Sequence, residues 1–423
     1  MNRSLIGQVH KKVPKDFLQV FIFDILSKVF MIVITIILIR IMSPSQYADI
    51  VKFTALSSFI YGVFGEGISL SFIRYSTEQY SRTGKSTVGL HAVSSLLIFI
   101  LSFLVITLVP VLTGIYNTTA IVVIYASFYG FILSLINMNQ AFFQSREMYV
   151  KSGITNNLRN VFILISLLYL MIIFKEVKAT QVFLVYVICG SIAFVFGIIR
   201  IYKGTLLKEI LSNRSILKLM LQDSFGIVIY LVILNVINQI DIVMISNMMT
   251  EKDVAMYGIA FKYYSLLLTL LPSIKAVLRV RTSKKEYIDD IEQRKKFTLI
   301  WLKRTWKFVI PFSVFVILAS DIFMPIMNGE QYDEAINTFK ILCVGVGISY
   351  MFASNTSIMM AAKKYKTLCL LAITSLGVNV LVNWMLIPVW GINGAAVATI
   401  LTHMIINVSA TFFIFLDKGE SVK

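Results

Sequence analysis

The sequence predicts an all-α polytopic membrane protein, with about 12 transmembrane helices in two six-helix bundles around a central cleft. Three observations predict it. Hydrophobic residues fill 57% of the 423 positions and charged residues only 14%, against roughly 45–50% and about 25% in a soluble domain. The apolar residues fall in long runs, and a helix crossing the hydrocarbon needs about 20 of them. The basic residues, which bring the net charge to +17, sit in short clusters between those runs, the pattern of membrane loops and not of one nucleic-acid-binding face.

Irregular backbone cannot face lipid, so each apolar run reads as one helix. The runs are 17–39, 47–73, 88–110, 120–143, 158–174, 181–201, 225–248, 255–278, 305–324, 335–361, 367–388 and 394–416. The leader before the first run carries Arg3, Lys11, Lys12 and Lys15 and no small-residue cleavage pattern, so that run is expected to remain as an anchor. With the N-terminus inside, most Lys and Arg lie on the cytoplasmic side, including Arg146, Lys151 and, at the very start of the fifth run, Arg159. The outer loops hold only Arg40, Lys175, Lys178, Lys252 and Lys340. This asymmetry places both termini in the cytoplasm. The longest polar connection, 278–304, contains KKEYIDDIEQRKK and is expected to form an interfacial helix before the ninth span. No segment is long enough to fold as a separate catalytic domain.

A shift of 210 residues lays Tyr47-Ala48 on Tyr257-Gly258 and Lys52 on Lys262. It also lays the first two spans on the seventh and eighth. Duplication would divide the chain into halves 1–210 and 211–423, related by an axis along the membrane normal, with the cleft between them.

A charge near mid-bilayer costs about 2.5–3.5 kcal/mol, so intramembrane polar residues mark interiors. Asp24 and Lys28, four apart on one helical face, either neutralise each other during insertion or line the cavity. Glu66, between Gly65 and Gly67, is either a proton- or cation-binding carboxylate or a hydrogen-bonding partner of a neighbouring helix. Asn235, Asn238 and Asp241 form a polar stripe at spacing three, which lines a cavity or glues helices. Lys52 and Lys262 either snorkel to the outer interface or face each other across the cleft, ready for a phosphate or an acidic sugar. His91 and His403 are isolated and read as packing residues, and Cys189, Cys343 and Cys369 as core residues. No Cys or His cluster supports a metal site, no GxxxxGK[ST] supports an ATP-driven engine, and no cofactor is implied.

The segment LGVNVLVNWMLIPVWGINGAAVATILTHMI (376–405) resembles the most characteristic stretch of the Wzx-type polysaccharide flippases, in the superfamily that also holds MATE drug exporters and lipid II flippases. IRIMSPSQYADI (39–50), FGEGISLSFIRY (64–75), NQIDIVMIS (238–246) and NGEQYDEA (328–335) are similar to the family's other segments in order, with Ala48 standing where the family has Gly. The resemblance implies a flippase that moves an undecaprenyl-pyrophosphate-linked oligosaccharide from the inner to the outer leaflet of a bacterial cytoplasmic membrane. The product would feed O-antigen (lipopolysaccharide) or capsule synthesis, and a polymerase and a chain-length regulator are the implied partners beside membrane lipids. Expected headgroup contacts are Lys28, Lys52 and Lys262, with Arg40 and Arg74 at the mouths and Asn235, Asn238, Asn379 and Asn383 as sugar hydrogen-bonders. Asp24, Glu66 and Asp241 are the expected ion-coupling carboxylates. A MATE-type exporter of organic cations and a polytopic polysaccharide polymerase are the rival readings. The first would want an acidic or aromatic pocket, the second a large outer loop.

Overall fold

The computed structural model describes residues 15–83, 87–174, 176–202, 214–271, 290–329, 332–362 and 364–416, with 274, 275, 278 and 282. Within them every element is helical. In chain order they are α1 (Lys15–Ile41), α2 (Pro44–Tyr61), a π turn (Gly62–Glu66), α3 (Gly67–Thr83), α4 (Val88–Thr107), α5 (Val109–Ile115), α6 (Ala120–Gln144), α7 (Tyr149–Ile173) and α8 (Ala179–Ile201). They continue as α9 (Arg214–Met248), α10 (Glu251–Leu267), α11 (Ile291–Asn328), α12 (Glu334–Met351), α13 (Ala353–Ala361) and α14 (Tyr365–Leu416).

The protein is a multi-pass membrane protein, and its surface shows why. Large apolar side chains such as Ile172, Phe308 and Val389 are 84%, 76% and 72% exposed, whereas Asn139, Asn160, Asn355, Asn379 and Asn383 are buried. Lipid stands outside, and polar groups find partners inside. Among the described residues eight helices are long and apolar enough to cross a membrane, or nine if the bent pair α12–α13 is one span. All twelve expected runs carry helix. The difference in number has physical causes. α14 passes as one helix of 52 residues, yet Gly391 at φ 57° breaks it three residues after Pro388, and both the missing proline N–H and the positive φ favour a bend there. Val88–Leu101 of α4 is an apolar helix too short for that count. α10 ends at Leu267 and passes through a 3-10 turn, Leu268–Leu270.

Two expectations need correction. The interfacial helix expected over 284–296 is not a separate element where it is described, because 290–296 lead directly into α11, a 38-residue helix with Asp290 as its cap. The remainder of that segment lies outside the described residues, as do the basic leader 1–14 and the tail from 417. The fifth span also begins earlier than expected, at Tyr149. The polar stretch KSGITNNLRN forms its first turns.

Within the N-terminal helices α1 packs on α7, α2 on α6, and α6 and α7 on α8. Within the C-terminal helices α14 packs on α9 and α12, and α12 on α10 and α11. Between the two sets the main contacts are α2 with α10 and α3 with α9, with smaller ones of α9 with α2, the π turn and α4, and of α1 with α11. The starts of α2 and α10 resemble each other. Ser43 caps α2 by accepting from the Gln46 N–H, and Thr250 and Asp253 form a reciprocal capping box on α10, each satisfying backbone donors that a helix start leaves free.

At the end of the bundle that carries these starts, the expected outer end, the two sets are tied together. Arg40 Nη2 donates to the Ile326 carbonyl at 2.6 Å and its Nε to the Met327 carbonyl at 3.1 Å, capping the negative end of α11. Tyr47 meets Tyr332 edge-on at 6.4 Å between centroids. Asn117 Nδ2 donates to the Ser246 carbonyl (2.8 Å) and Asn247 Nδ2 to the Ile115 carbonyl (2.6 Å). α2 lies so close to α10 that a Cβ at Gly258 would collide with Val51. Gly258→Ala is therefore expected to loosen this end, since overpacking costs about 1–3 kcal/mol. A cysteine placed at Tyr332 should react faster with a membrane-impermeant maleimide in the Gly258→Ala background. An unchanged rate would show that the α2–α10 contact does not close this end.

Candidate functional site

Between the helix sets lies a cavity of about 740 Å³. Its wall on α1 runs from Asp24 to Leu38, about 21 Å at 1.5 Å per residue. The other lining residues come chiefly from α2, α6, α7, α9 and α10, with Tyr186 of α8 and His403 of α14. The wall is chemically uneven. Lys28, Arg159 and Lys262 reach it from three different helices, and Asp24 is its sole carboxylate among the described residues. These groups feel one another: Lys28 is attracted by Asp24 and repelled by Arg159, and Lys262 is repelled by both Lys28 and Arg159. Three like charges in a space of low dielectric repel strongly. Such an arrangement holds a cost that an anion with two or three acceptor oxygens relieves. Amides and hydroxyls make up much of the remaining polar wall, among them Asn137, Gln140, Asn238, Gln239, Tyr61 and Tyr129.

Of the residues expected to bind substrate or couple an ion, Asp24, Lys28, Lys262 and Asn238 line this cavity. The others lie elsewhere, and each displacement has a reason. Lys52 does not face Lys262, because its Nζ donates to the Asn117 carbonyl at 2.8 Å and fastens the α5–α6 loop that reaches Ser246. Arg40 is committed to the end of α11. Arg74 is exposed on α3, its guanidinium 5.7 Å from the Tyr75 ring centroid, away from the cavity wall. Glu66 and Asn235 hold each other: Asn235 Nδ2 donates to Glu66 Oε2 at 3.0 Å and to the Leu231 carbonyl at 2.9 Å. This joins the π turn of one helix set to α9 of the other. It is the neighbouring-helix hydrogen bond that was one of the two readings of Glu66.

Asn379, Asn383 and Asp241 form a separate buried cluster among α9, α10 and α14. Asp241 accepts from Tyr257 Oη at 2.7 Å, from Asn383 Nδ2 at 2.7 Å and from the Thr399 hydroxyl. Asn383 Nδ2 also donates to Asn379 Oδ1 at 3.0 Å. Asn379 Nδ2 and Asn383 Oδ1 are buried without a hydrogen-bond partner. No Lys or Arg bonds to this carboxylate among the described residues.

The model of the family described as polysaccharide biosynthesis protein matches residues 13–278. The chain belongs to that family. No curated protein matches the sequence. Solved structures share its fold at low identity. A multidrug resistance MATE family transporter of the MOP superfamily, in an inward-facing conformation, aligns with a TM-score of 0.78 and 12% identity over 95% of this chain and 97% of that one. The lipid II flippase MurJ in an inward closed conformation gives 0.75 and 15% over 94% and 87%. An outward-facing MATE family transporter gives 0.65 and 14% over 95% of each chain. The chain thus shares the fold of these transporters and of this flippase.

For this family member the main residue missed from sequence is Arg159. Counting it as cytoplasmic followed from starting the fifth span at 158, and its position ten residues into α7 removes that premise. Its signal was present in the stretch NNLRN, where Asn156, Arg159 and Asn160 stand three and four apart on one helical face. All three line the cavity. His403, read as a packing residue, lines it as well.

Proposed function

We propose that this protein is a flippase for an undecaprenyl-pyrophosphate-linked oligosaccharide, moving it from the inner to the outer leaflet of a bacterial cytoplasmic membrane for O-antigen or capsular polysaccharide synthesis. The observation that carries the reading is the surplus of two positive charges in the cavity, three cations against one carboxylate. A diphosphate diester carries two negative charges, and guanidinium and ammonium donors are its usual recognition groups. The polyprenyl tail stays in lipid while the headgroup occupies the cavity. The protein performs no covalent chemistry. Both termini are cytoplasmic, and the repeat unit is delivered to a polymerase and its chain-length regulator outside.

Alternating access accomplishes the transfer. The ties at the expected outer end and the higher TM-score with an inward-facing relative support a resting state that opens to the cytoplasm. Opening outward requires Arg40 to leave the Ile326 and Met327 carbonyls and α2 to part from α10. Moving two negative charges out of a negative interior gains about 4–5 kcal/mol per 100 mV, at roughly 2.3 per charge. The Asp241 cluster adds a binding site for a coupling proton or cation. An exporter of organic cations would meet repulsion in this cavity, which disfavours that rival.

The test is transfer of a fluorescent undecaprenyl-diphosphate oligosaccharide in proteoliposomes, read by loss of protection from an added quencher. Protein-dependent transfer that speeds up with an inside-negative potential is expected. Failure to move any diphosphate lipid, together with uptake of a cationic dye, would replace the flippase by an exporter.

A further inference from the structure

We propose that the cavity selects an uncharged glycan, rich in hydroxyl and acetamido groups, through the side-chain amides of Asn137, Gln140, Asn238 and Gln239. The inference rests on the flippase reading and deepens it from the carrier to the sugar. Its first support is charge. The diphosphate takes up the whole surplus of Lys28, Arg159 and Lys262 over Asp24, so no cation among the described lining residues remains for a uronate or another acidic sugar. A carboxylate brought into this cavity without a counter-charge would lose its hydration for nothing in return.

The second support is the state of the amides. Several polar residues near the cavity are already occupied in holding helices together. Asn160 Nδ2 donates to Ser27 Oγ at 3.0 Å, and Asn157 Nδ2 to the Phe23 carbonyl at 3.1 Å, both joining α7 to α1. Asn137 and Gln140 on α6, and Asn238 and Gln239 on α9, are different. They line the cavity, none of them is buried, and they hydrogen-bond to no described residue. Each amide offers two donors and one carbonyl acceptor, the complement of a sugar hydroxyl or an N-acetyl group, and none provides charge. They stand on two walls, one from each helix set, so a glycan between them touches both.

The experiment uses the full chain in phosphatidylcholine vesicles and three fluorescent undecaprenyl-diphosphate lipids. One bears no sugar, one a disaccharide of N-acetylglucosamine and glucose, and one the same disaccharide with glucuronate in place of glucose. The neutral glycolipid is expected to bind about tenfold more tightly than the glucuronate one. Asn137→Ala/Gln140→Ala should weaken the neutral glycolipid about tenfold and leave the sugar-free lipid unchanged. Gln140→Lys, which adds a cation to the wall, should reverse the preference toward glucuronate, so the idea stays exposed even where the double variant folds poorly. Equal or stronger binding of the glucuronate lipid to the wild type overturns the inference alone. So does equal loss of the sugar-free and neutral lipids in the double variant. Wild type that binds none of the three diphosphates overturns the flippase reading itself, and the inference with it.

Discussion

Arg159→Ala is expected to weaken binding of an undecaprenyl-diphosphate headgroup by about 10- to 150-fold, the equivalent of one charge-assisted hydrogen bond of roughly 1.5–3 kcal/mol. Transfer in proteoliposomes should fall with it. Two nitrogens of the guanidinium already donate to Asn160 Oδ1, at 3.2 and 3.1 Å, which fixes its plane and leaves other donors for a ligand. Lys28 and Lys262 are close enough to repel it, so the anion that binds all three also relieves their repulsion, and loss of one cation removes both gains. Arg159→Lys retains the charge without the planar fork and should fall between wild type and alanine. Because Arg159 is half-buried on a cavity wall and bridges no helices, the alanine variant should fold and retain its thermal stability. Lys52→Ala provides the contrast. It should loosen the Asn117 loop and alter the conformational equilibrium, with headgroup affinity in the inward state unchanged. A normal affinity in Arg159→Ala beside a lost one in Lys52→Ala would move the headgroup out of this cavity.

Arg159 also shows how far sequence alone reaches in such a protein. The fold class was legible because lipid imposes one requirement on every span, an apolar outer surface, and this requirement is met locally in the chain. The cavity was half legible for the same reason in reverse. Residues that line water inside the bundle dilute the hydropathy of the turns that carry them, so the start of α7 reads as a loop and its arginine as a loop residue. Lys28 and Lys262 escaped that error because long apolar runs surround them. Arg40 was expected at a mouth and Lys52 at the outer interface or in the cleft. Their partners, carbonyls 286 and 65 residues away, have no sequence signature, since any residue has a carbonyl. The 210-residue repeat misled in one respect. Lys52 and Lys262 match in position, yet one closes the outer end and the other faces the cavity. The two positions differ in their contacts where duplication would make them equal, as does Asp241, whose counterpart under the same shift is Met31.

The Asp241 cluster leads to the second large expected effect. The carboxylate is 1% exposed and surrounded by neutral donors from Tyr257, Asn383 and Thr399, while Asn383 Oδ1 remains without a donor. A buried anion with no bonded cation among the described residues is expensive. A proton or a monovalent cation settles the charge, and the spare amide oxygen beside it is a ready additional ligand for a cation. The cluster joins α9, α10 and both legs of α14, and α10 is the helix that must part from α2 when the outer end opens, so occupancy there is coupled to the conformational equilibrium. Asp241→Asn keeps the shape and one acceptor but removes the charge. It is expected to fold, to flip the glycolipid, and to lose all dependence on an imposed proton, sodium or potassium gradient. Wild-type unfolding temperature should rise with the coupling cation, by about 2.7 kcal/mol of added stability at a hundred times its Kd, and the variant's should not. Asp241→Ala separates this role from simple packing. It strands three donors at about 1–3 kcal/mol each and should lower the unfolding temperature whichever ion is present. If Asp241→Asn responded to the same gradients as wild type, coupling would have to reside in the cavity itself, with Asp24 as the carboxylate left to carry it.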